Sequence, residues 1–374
     1  MIPLTWIEIS QENLQKNIQT LRQRIGEAVI LAPCVKGNAY GHGLEGTAKQ
    51  FLTSGADWLT VNAIYEAKIL RDSGITAPII IIGYIPLSDL FEAIDMNCKL
   101  LVYNKETITK LGEIGKPVDI HIKVETGNNR QGVHIHELVD FAKYIQHFPH
   151  LHLEGLSTHF ANIEDTTDHT YAKKQLALFN SAIETLEKEG VNISYKHCAN
   201  SAATILLHDT HFNMVRPGIA SYGMWPSNET YISHVRENHN EFSLVPALTW
   251  KAKIAQIKEI NPGEYIGYGC TYKTTHTTKI AIIPVGYYDG YDRGIKNGYV
   301  LLHGKRASIR GRICMNIMMV DVTDIPEAKL EDEVILLGTS FDETLSTELL
   351  ASWAETINYE ITTRINERIP RIFI

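Results

Sequence analysis

Lys36 closes an apolar run, VILAPCV, and opens a glycine-rich turn, Gly37-Asn-Ala-Tyr40-Gly-His-Gly43. An amine at the end of a buried strand loses solvation, and desolvation favours its neutral, nucleophilic form. Such a lysine can form a Schiff base with an aldehyde. Alone it would read as a lysine at a strand edge. Further reactive residue types recur where later apolar runs end. These are Lys123 ahead of Glu125-Thr-Gly-Asn-Asn-Arg130, then Ser157-Thr-His159, His197-Cys-Ala-Asn200-Ser201 and Arg216-Pro-Gly218.

Those residues need a scaffold that gathers strand ends. Residues 10–25 predict a helix, capped by Ser10, with Leu14, Ile18, Leu21 and Ile25 at helical spacing. Short β-branched runs follow near 29–35, 57–61, 78–82, 99–103, 118–124, 152–158, 193–198 and 212–215, with amphipathic stretches such as NAIYEAKILRDSG between them. Strands alternating with helices predict a parallel sheet, and eight of them predict a TIM-type (β/α)8 barrel. An open doubly wound sheet is the alternative. From about residue 240 the texture changes to strands separated by turns (LTWKAKIAQIKEI, KIAIIPVGY, GYVLLHG, ASIRGRICM, IMMVDV, DEVILLG), with one helix at LSTELLASWAETI. The expected organisation is a barrel over residues 1–236 and a mainly β C-terminal domain over 237–374, with residues 1–9 able to pair with the latter. The stretch 224–242 reads as an irregular linker, and the HIH at 134–136 as a loop.

In a TIM barrel the chemistry sits at the C-terminal strand ends, and the loops after strands seven and eight often bind phosphate through backbone N–H groups. Here those loops are ANSAAT and RPGIASYG. Ser201 opens a helix, and Gly218 lets the backbone approach a ligand. A phosphate site beside a Schiff-base lysine points to pyridoxal 5'-phosphate, held by Lys36 at its aldehyde carbon.

Composition narrows the partners. The chain has 374 residues, 44% hydrophobic and 21% charged, which suits a soluble protein with a large core. Net charge is −8 with scattered basic residues, so nucleic acid is not an expected partner. Five cysteines, odd in number and far apart, give no disulfide framework. Sixteen histidines show no metal-ligand spacing. No signal-peptide pattern is evident, and the longest apolar run, APIIIIGYIPL, is too short to span a bilayer. The expectation is a cytoplasmic protein without a membrane partner.

Six segments carry a resemblance. VKGNAYGHG, EGLSTHF, HCANSAA, FNMVRPGIASYG, VGYYDGYDR and GRICMN are similar, in the same order, to the motifs of bacterial alanine racemases, which are fold-type III pyridoxal-phosphate enzymes. The resemblance covers essentially the whole chain. It implies that Lys36 carries the cofactor and acts as one of two catalytic bases. The second would be Tyr268, in the segment Tyr265-Ile-Gly-Tyr268-Gly-Cys-Thr-Tyr272, donated across a homodimer with shared sites. Tyr40, Asn200, Ser201, Gly218, Ile219 and Tyr359 would hold the cofactor, mostly at its phosphate. A free tyrosine, with a pKa of about 10, is a poor base at neutral pH. His159, Arg216 and His197 could bias Tyr268 as a hydrogen-bonded chain. Arg216 would face the pyridine nitrogen, to which it can donate but not give up its proton, leaving a weaker electron sink.

Arg130 resembles the arginine that binds the substrate carboxylate. The family can carry a carbamate at the position of Lys123, which would turn that residue into an anion clamping Arg130. Met315 would offer its N–H to the substrate carboxylate from the partner subunit, and Tyr287, Arg293, Arg312 and Glu164 look like parts of the entrance channel. The implied role is supply of D-alanine for peptidoglycan. Some residues depart from the family pattern: Asn316 for aspartate, Asn128 for methionine, Glu125 for aspartate, Gly267 for serine and Gly37 for alanine. Asn316 opens the alternative of a preference for serine or another amino acid. Barrel-type decarboxylases usually place a carboxylate where Arg216 stands. A non-catalytic pyridoxal-phosphate carrier would have no use for the C-terminal domain.

Overall fold

The computed structural model describes residues 3–236 and 242–374. The chain divides into two compact units, one of residues 12–39 and 44–246, the other of residues 1–11, 40–43 and 247–374.

The first unit is the barrel. Its strands are Ile30–Leu31, Leu59–Val61, Ile79–Ile81, Cys98–Val102, Val118–Glu125, Leu151–Ser157, Tyr195–His197 and Met214–Val215. Parallel pairing runs from the second through the seventh, and the eighth pairs with the first. A parallel bridge between Cys34 and Thr60 joins the first strand to the second. The Arg216 N–H donates to the Ala199 carbonyl (2.9 Å), tying the eighth to the seventh. The expected alternation is therefore present, although several strands are only two or three residues long. Short strands suffice because Ala32, Trp58, Ile80 and Met214 fill the interior as an apolar layer, so the barrel is a packed core and not a pore.

Amphipathic helices cover the barrel. Gln11–Ile25 buries Leu14, Ile18, Leu21 and Ile25, the residues whose spacing predicted it. Lys105–Ile114 is capped by the Asn104 side chain, which accepts from the Thr107 N–H, and ends at Gly115 in the left-handed region. Two sequence expectations need correction. Residues 228–236 of the supposed linker form a helix, started by Ser227, whose Oγ accepts the Thr230 N–H (2.9 Å); the part of that linker at 237–241 lies outside the described residues. The HIH segment is not a plain loop: Val133–His134 pairs with the fifth strand and Ile135–Glu137 makes a 3-10 turn.

The second unit is rich in strands. One sheet runs in the order Lys305–Ser308, Tyr299–Leu302, Glu333–Ser340, Leu248–Lys253, Thr5–Ile9, Arg371–Phe373. Thr5–Ile9 pairs antiparallel with Leu248–Lys253 and parallel with Arg371–Phe373, burying Ile7, Ile9 and Trp250. A three-stranded sheet (Gln256–Ile260, Thr278–Ile283, Met318–Asp321) and the hairpin Tyr265–Ile266/Tyr272–Lys273 complete it. The segment 309–315, expected as part of a strand, is mostly loop, joined to the sheet by a bridge from Ile309 to Val320. Among the described residues no helix is long and apolar enough to cross a membrane.

Candidate active site

Lys36 stands at the head of a left-handed turn. Gly37, Asn38, Ala39 and Tyr40 all have φ between 53° and 61°. Only glycine adopts this region freely, and each other residue costs about 1–2 kcal/mol there. The turn must therefore be held from outside. The Glu66 carboxylate, 2% exposed, accepts the Gly37 N–H (2.7 Å) on one oxygen and the N–H groups of Asn62 and Ala63 (2.8 and 3.0 Å) on the other. Asn38 Oδ1 accepts the Leu44 N–H (2.8 Å). Lys36 itself is half-buried, not enclosed as the apolar run before it suggested. Glu66 carries no motif, and sequence reading missed it.

The C-terminal strand ends bring the barrel's site residues together. Lys123, 6% exposed, is pushed down to about 8 by burial and by the charges of Arg130, Arg216 and Lys36. Its Nζ donates to Gln131 Oε1 (3.4 Å). His159 is held well below the usual histidine range by burial and by Arg216, Arg130, Lys123 and Lys36. The same five cationic or basic side chains thus converge within electrostatic reach of one another. Arg130 is exposed, and among the described residues no carboxylate pairs with its guanidinium. The nearby Glu125 is already committed. Burial would raise its carboxyl, but the backbone N–H groups of Asn129, Gly127, Asn128 and Arg130 outweigh that and hold it low. The longer side chain at this departure from the family pattern still wraps its own loop, with Gly127 N–H at 2.6 Å.

Behind this cluster, fully buried His197 bonds to Arg216 Nη1 through Nδ1, and Arg216 Nη2 donates to the Thr158 carbonyl (3.1 Å). Burial lowers the Arg216 guanidinium to about 10, still charged at neutral pH. The chain continues to His121 and Glu154, which sequence reading also missed. The available signal was the HIK of the fifth strand, which places His121 and Lys123 two residues apart and so on one face of a strand whose interior should be apolar.

A cradle of N–H groups lies beside it. Ser201 Oγ accepts from Gly218 N–H (2.8 Å) and Ala220 N–H (3.2 Å), so the two loops are fastened to each other. Asn200 caps the helix Ser201–Leu206, accepting the Ala203 N–H (3.0 Å), and its Nδ2 donates to Glu164 Oε1 (2.8 Å). The first N–H groups of that helix, at Ser201 and Ala202, have no intrahelical acceptor. The Ile219 N–H has none among the described residues.

In the strand-rich unit, Tyr268 is 68% exposed on a short turn between Gly267 and Gly269. Gly267 has φ 74° and ψ −173°, a conformation that residues other than glycine rarely adopt. The Arg312 guanidinium lies against Gly269, leaving 3.2 Å for any added Cβ. Arg293 donates to the Ile313 carbonyl (2.6 Å) and sits over the Tyr287 ring (5.7 Å). Met315 is 55% exposed, its carbonyl fixed by the Tyr288 N–H (2.9 Å). Asn316 Nδ2 donates to Asp289 Oδ2 (3.3 Å). Tyr40 and Tyr359 are neighbours, ring centroids 6.0 Å apart.

A lysine on a strained turn, an N–H cradle and a cluster of cations with no carboxylate directly paired to them among the described residues, all at one end of a (β/α)8 barrel, define an enzyme of the lysine-dependent barrel class. Comparison with known proteins specifies it. The alanine racemase N-terminal domain family matches residues 9–226, and the C-terminal domain family matches residues 247–373. A protein of Methanococcus maripaludis called alanine racemase is 38% identical over 99% of this chain and 98% of its own. One of Halothermothrix orenii with the same name is 39% identical over 98% and 96%. The crystal structure of alanine racemase from Bacillus anthracis with bound L-Ala-P superposes with a TM-score of 0.93 at 37% identity, covering 100% of this chain and 96% of that one. The Clostridium difficile enzyme in complex with cycloserine gives 0.91 at 33% identity, with the same coverage. The chain belongs to the alanine racemase family.

Proposed function

We propose that the protein interconverts L-alanine and D-alanine with pyridoxal 5'-phosphate as cofactor, and so supplies D-alanine for peptidoglycan. The observation that carries this is the convergence of Lys36, Lys123, Arg130, His159 and Arg216 beside an N–H cradle, in a chain whose two parts match both family domains. The donor set fits the cofactor. Several cations lack anionic partners, and backbone N–H groups at Ser201, Ala202 and Ile219 suit a phosphate. Lys36 would hold the aldehyde carbon. Asn200, Ser201, Gly218 and Ile219 would hold the phosphate end, together with the hydroxyls of Tyr40 and Tyr359. When bound, pyridoxal phosphate supplies the electron sink that makes the α-proton acidic.

The chain's own groups then move the proton. Lys36 Nζ serves one face of Cα, and Tyr268 of the partner subunit serves the other, which requires a homodimer. His159, kept neutral, can accept a hydrogen bond from that tyrosine and pass polarisation to Arg216. Arg216 would hold the pyridine nitrogen of the cofactor as a hydrogen-bond donor that keeps its own proton. Arg130 and, from the partner subunit, the Met315 N–H would take the substrate carboxylate. Tyr287, Arg293, Arg312 and Glu164 line the entrance. Lys123 near pKa 8 keeps enough neutral amine to take up carbon dioxide as a carbamate, whose negative charge would clamp Arg130. The cytoplasm is the proposed compartment, which suits five cysteines that all stay free thiols.

Proton NMR in D2O, with pyridoxal phosphate and L-alanine or L-serine, tests this reading. Loss of the Cα–H signal together with equal final amounts of both alanine enantiomers is expected. No exchange with either amino acid would overturn it, and faster turnover of serine would move the assignment to a serine-preferring racemase, the change that Asn316 makes conceivable.

A further inference from the structure

The guanidinium of Arg216 dictates the direction of every hydrogen bond behind it. An arginine N–H can only donate, so His197 Nδ1 must accept. A neutral imidazole has one N–H, so His197 donates from Nε2 to His121 Nδ1 (2.7 Å). His121 therefore carries its own proton on Nε2 and donates to Glu154 Oε1 (3.0 Å). Any other tautomer of His197 would set N–H against N–H at Arg216. Both rings have no exposure, and burial holds both below the usual range, helped at His197 by the Arg216 charge and opposed but not outweighed at His121 by the Glu154 carboxylate. Each is neutral at physiological pH, as this pattern demands.

The sequence builds the arrangement deliberately. In the pairing of strands five and six, Ile120 faces Leu153 and His121 faces Gly155, so Glu154 is the extra residue of a β-bulge. The bulge re-aims the Glu154 side chain to the His121 ring. Gly155 makes the room: a Cβ there would lie 2.0 Å from His121 Nδ1. The His121 ring stacks on Tyr195 (5.9 Å, 4°) and meets the Trp58 edge (6.2 Å). Lys99 bonds to Glu154 (2.6 Å) and Asp119 (2.8 Å) and lies 4.9 Å over Trp58, so the carboxylate end is fixed as firmly as the arginine end.

We propose that Glu154 and His121 are positioning residues for Arg216, forming with His197 a one-way hydrogen-bond chain that fixes the guanidinium and offsets its charge with a carboxylate reached through two neutral rings. The mouth already holds Lys36, Lys123 and Arg130, so a remote anion steadies Arg216 without placing a carboxylate against the substrate. The proposal rests on the racemase reading only for what Arg216 serves.

The test is long-range 1H–15N correlation NMR on the full chain with 15N-labelled histidine rings, without cofactor or substrate, from about pH 5.5 to 9. Two rings should stay neutral and Nε2-protonated throughout, each with an N–H proton shielded from exchange. Glu154→Gln should keep the pattern, because its carboxamide oxygen still accepts. Glu154→Leu should lose the shielded His121 proton, and Gly155→Ala should lose both by displacing the ring. In the loaded enzyme, Glu154→Leu should lower kcat at least about tenfold with little change in KM, and Glu154→Gln should restore most of it. An Nδ1-protonated tautomer or a titration of either ring within that range overturns the proposal, as does a Glu154→Leu protein that keeps both shielded protons. Because the spectra need no turnover, a protein with the expected tautomers but no racemisation would reject the functional reading and leave the chain of bonds standing.

Discussion

Replacing Glu66 with glutamine isolates the support of the lysine-bearing turn. The carboxylate serves Gly37 with one oxygen and the paired N–H groups of Asn62 and Ala63 with the other. A carboxamide has a single oxygen. Placed where two N–H groups converge, it turns its NH2 toward the Gly37 N–H, and donor meets donor. One hydrogen bond to a charged acceptor is lost, worth about 1.5–3 kcal/mol at a site that is 2% exposed. The three non-glycine residues at φ 53° already carry strain, and the Glu66 carboxylate anchors the head of their turn at Gly37. A loss of about 2–3 kcal/mol corresponds to a fall in Tm of roughly 4–12 °C for a unit of this size. Thermal unfolding followed by circular dichroism measures it, and mass spectrometry after borohydride trapping of pyridoxal phosphate measures cofactor attachment at Lys36. Glu92→Gln is the control, since it breaks only a solvent-screened surface pair with Lys68. A Glu66→Gln protein with the parent's Tm and undiminished trapping would refute the idea that this carboxylate holds the turn.

Lys123 gives a pH signature. Its folded pKa of about 8 lies below that of a free lysine, so between pH 8 and about 10.4 the unfolded chain binds a proton that the folded one does not, and stability must rise with pH across that window. Lys123→Met should remove the rise and stabilise the protein at pH 7 by about 1–3 kcal/mol, read from urea midpoints in carbon-dioxide-free buffer. The Tyr291 hydroxyl is buried with no partner among the described residues, and burial raises its pKa. Tyr291→Phe should therefore stabilise by about 1 kcal/mol, and a lower urea midpoint would show a hidden partner. Asn316→Asp exchanges the 3.3 Å bond to Asp289 for repulsion between two carboxylates. It should cost under about 1 kcal/mol, less in high salt, and the ratio of alanine to serine turnover would report what Asn316 does to preference.

The barrel could be read from the chain because β-branched runs and amphipathic stretches alternate, and each run marks a strand whatever its exact length. The reactive residues could be read because they close those runs. Other features depend on three-dimensional fit. The helix Asn228–Arg236 hides behind a polar composition, since only Thr230, Ser233 and His234 are turned inward. Glu66 resembles any glutamate in the first turn of a helix. Glu154 and Gly155 open the EGLSTHF motif in mid-strand, and their role stays hidden because a bulge has no reliable signature in a single sequence. The half-buried state of Lys36 depends on a left-handed turn that its glycines permit but do not require.

Thr5–Ile9 sits between Leu248–Lys253 and Arg371–Phe373. On a ribosome Thr5–Ile9 has to wait for Leu248–Lys253 and, longer still, for Arg371–Phe373. At roughly 5–20 residues per second the second partner follows by tens of seconds to more than a minute, and until Leu248–Lys253 emerges Ile7 and Ile9 have no sheet to enter. The barrel can close meanwhile, so the strand-rich unit is the part exposed to mispairing and to chaperones. A ribosome stalled short of residue 371 would hold a finished barrel beside an open sheet.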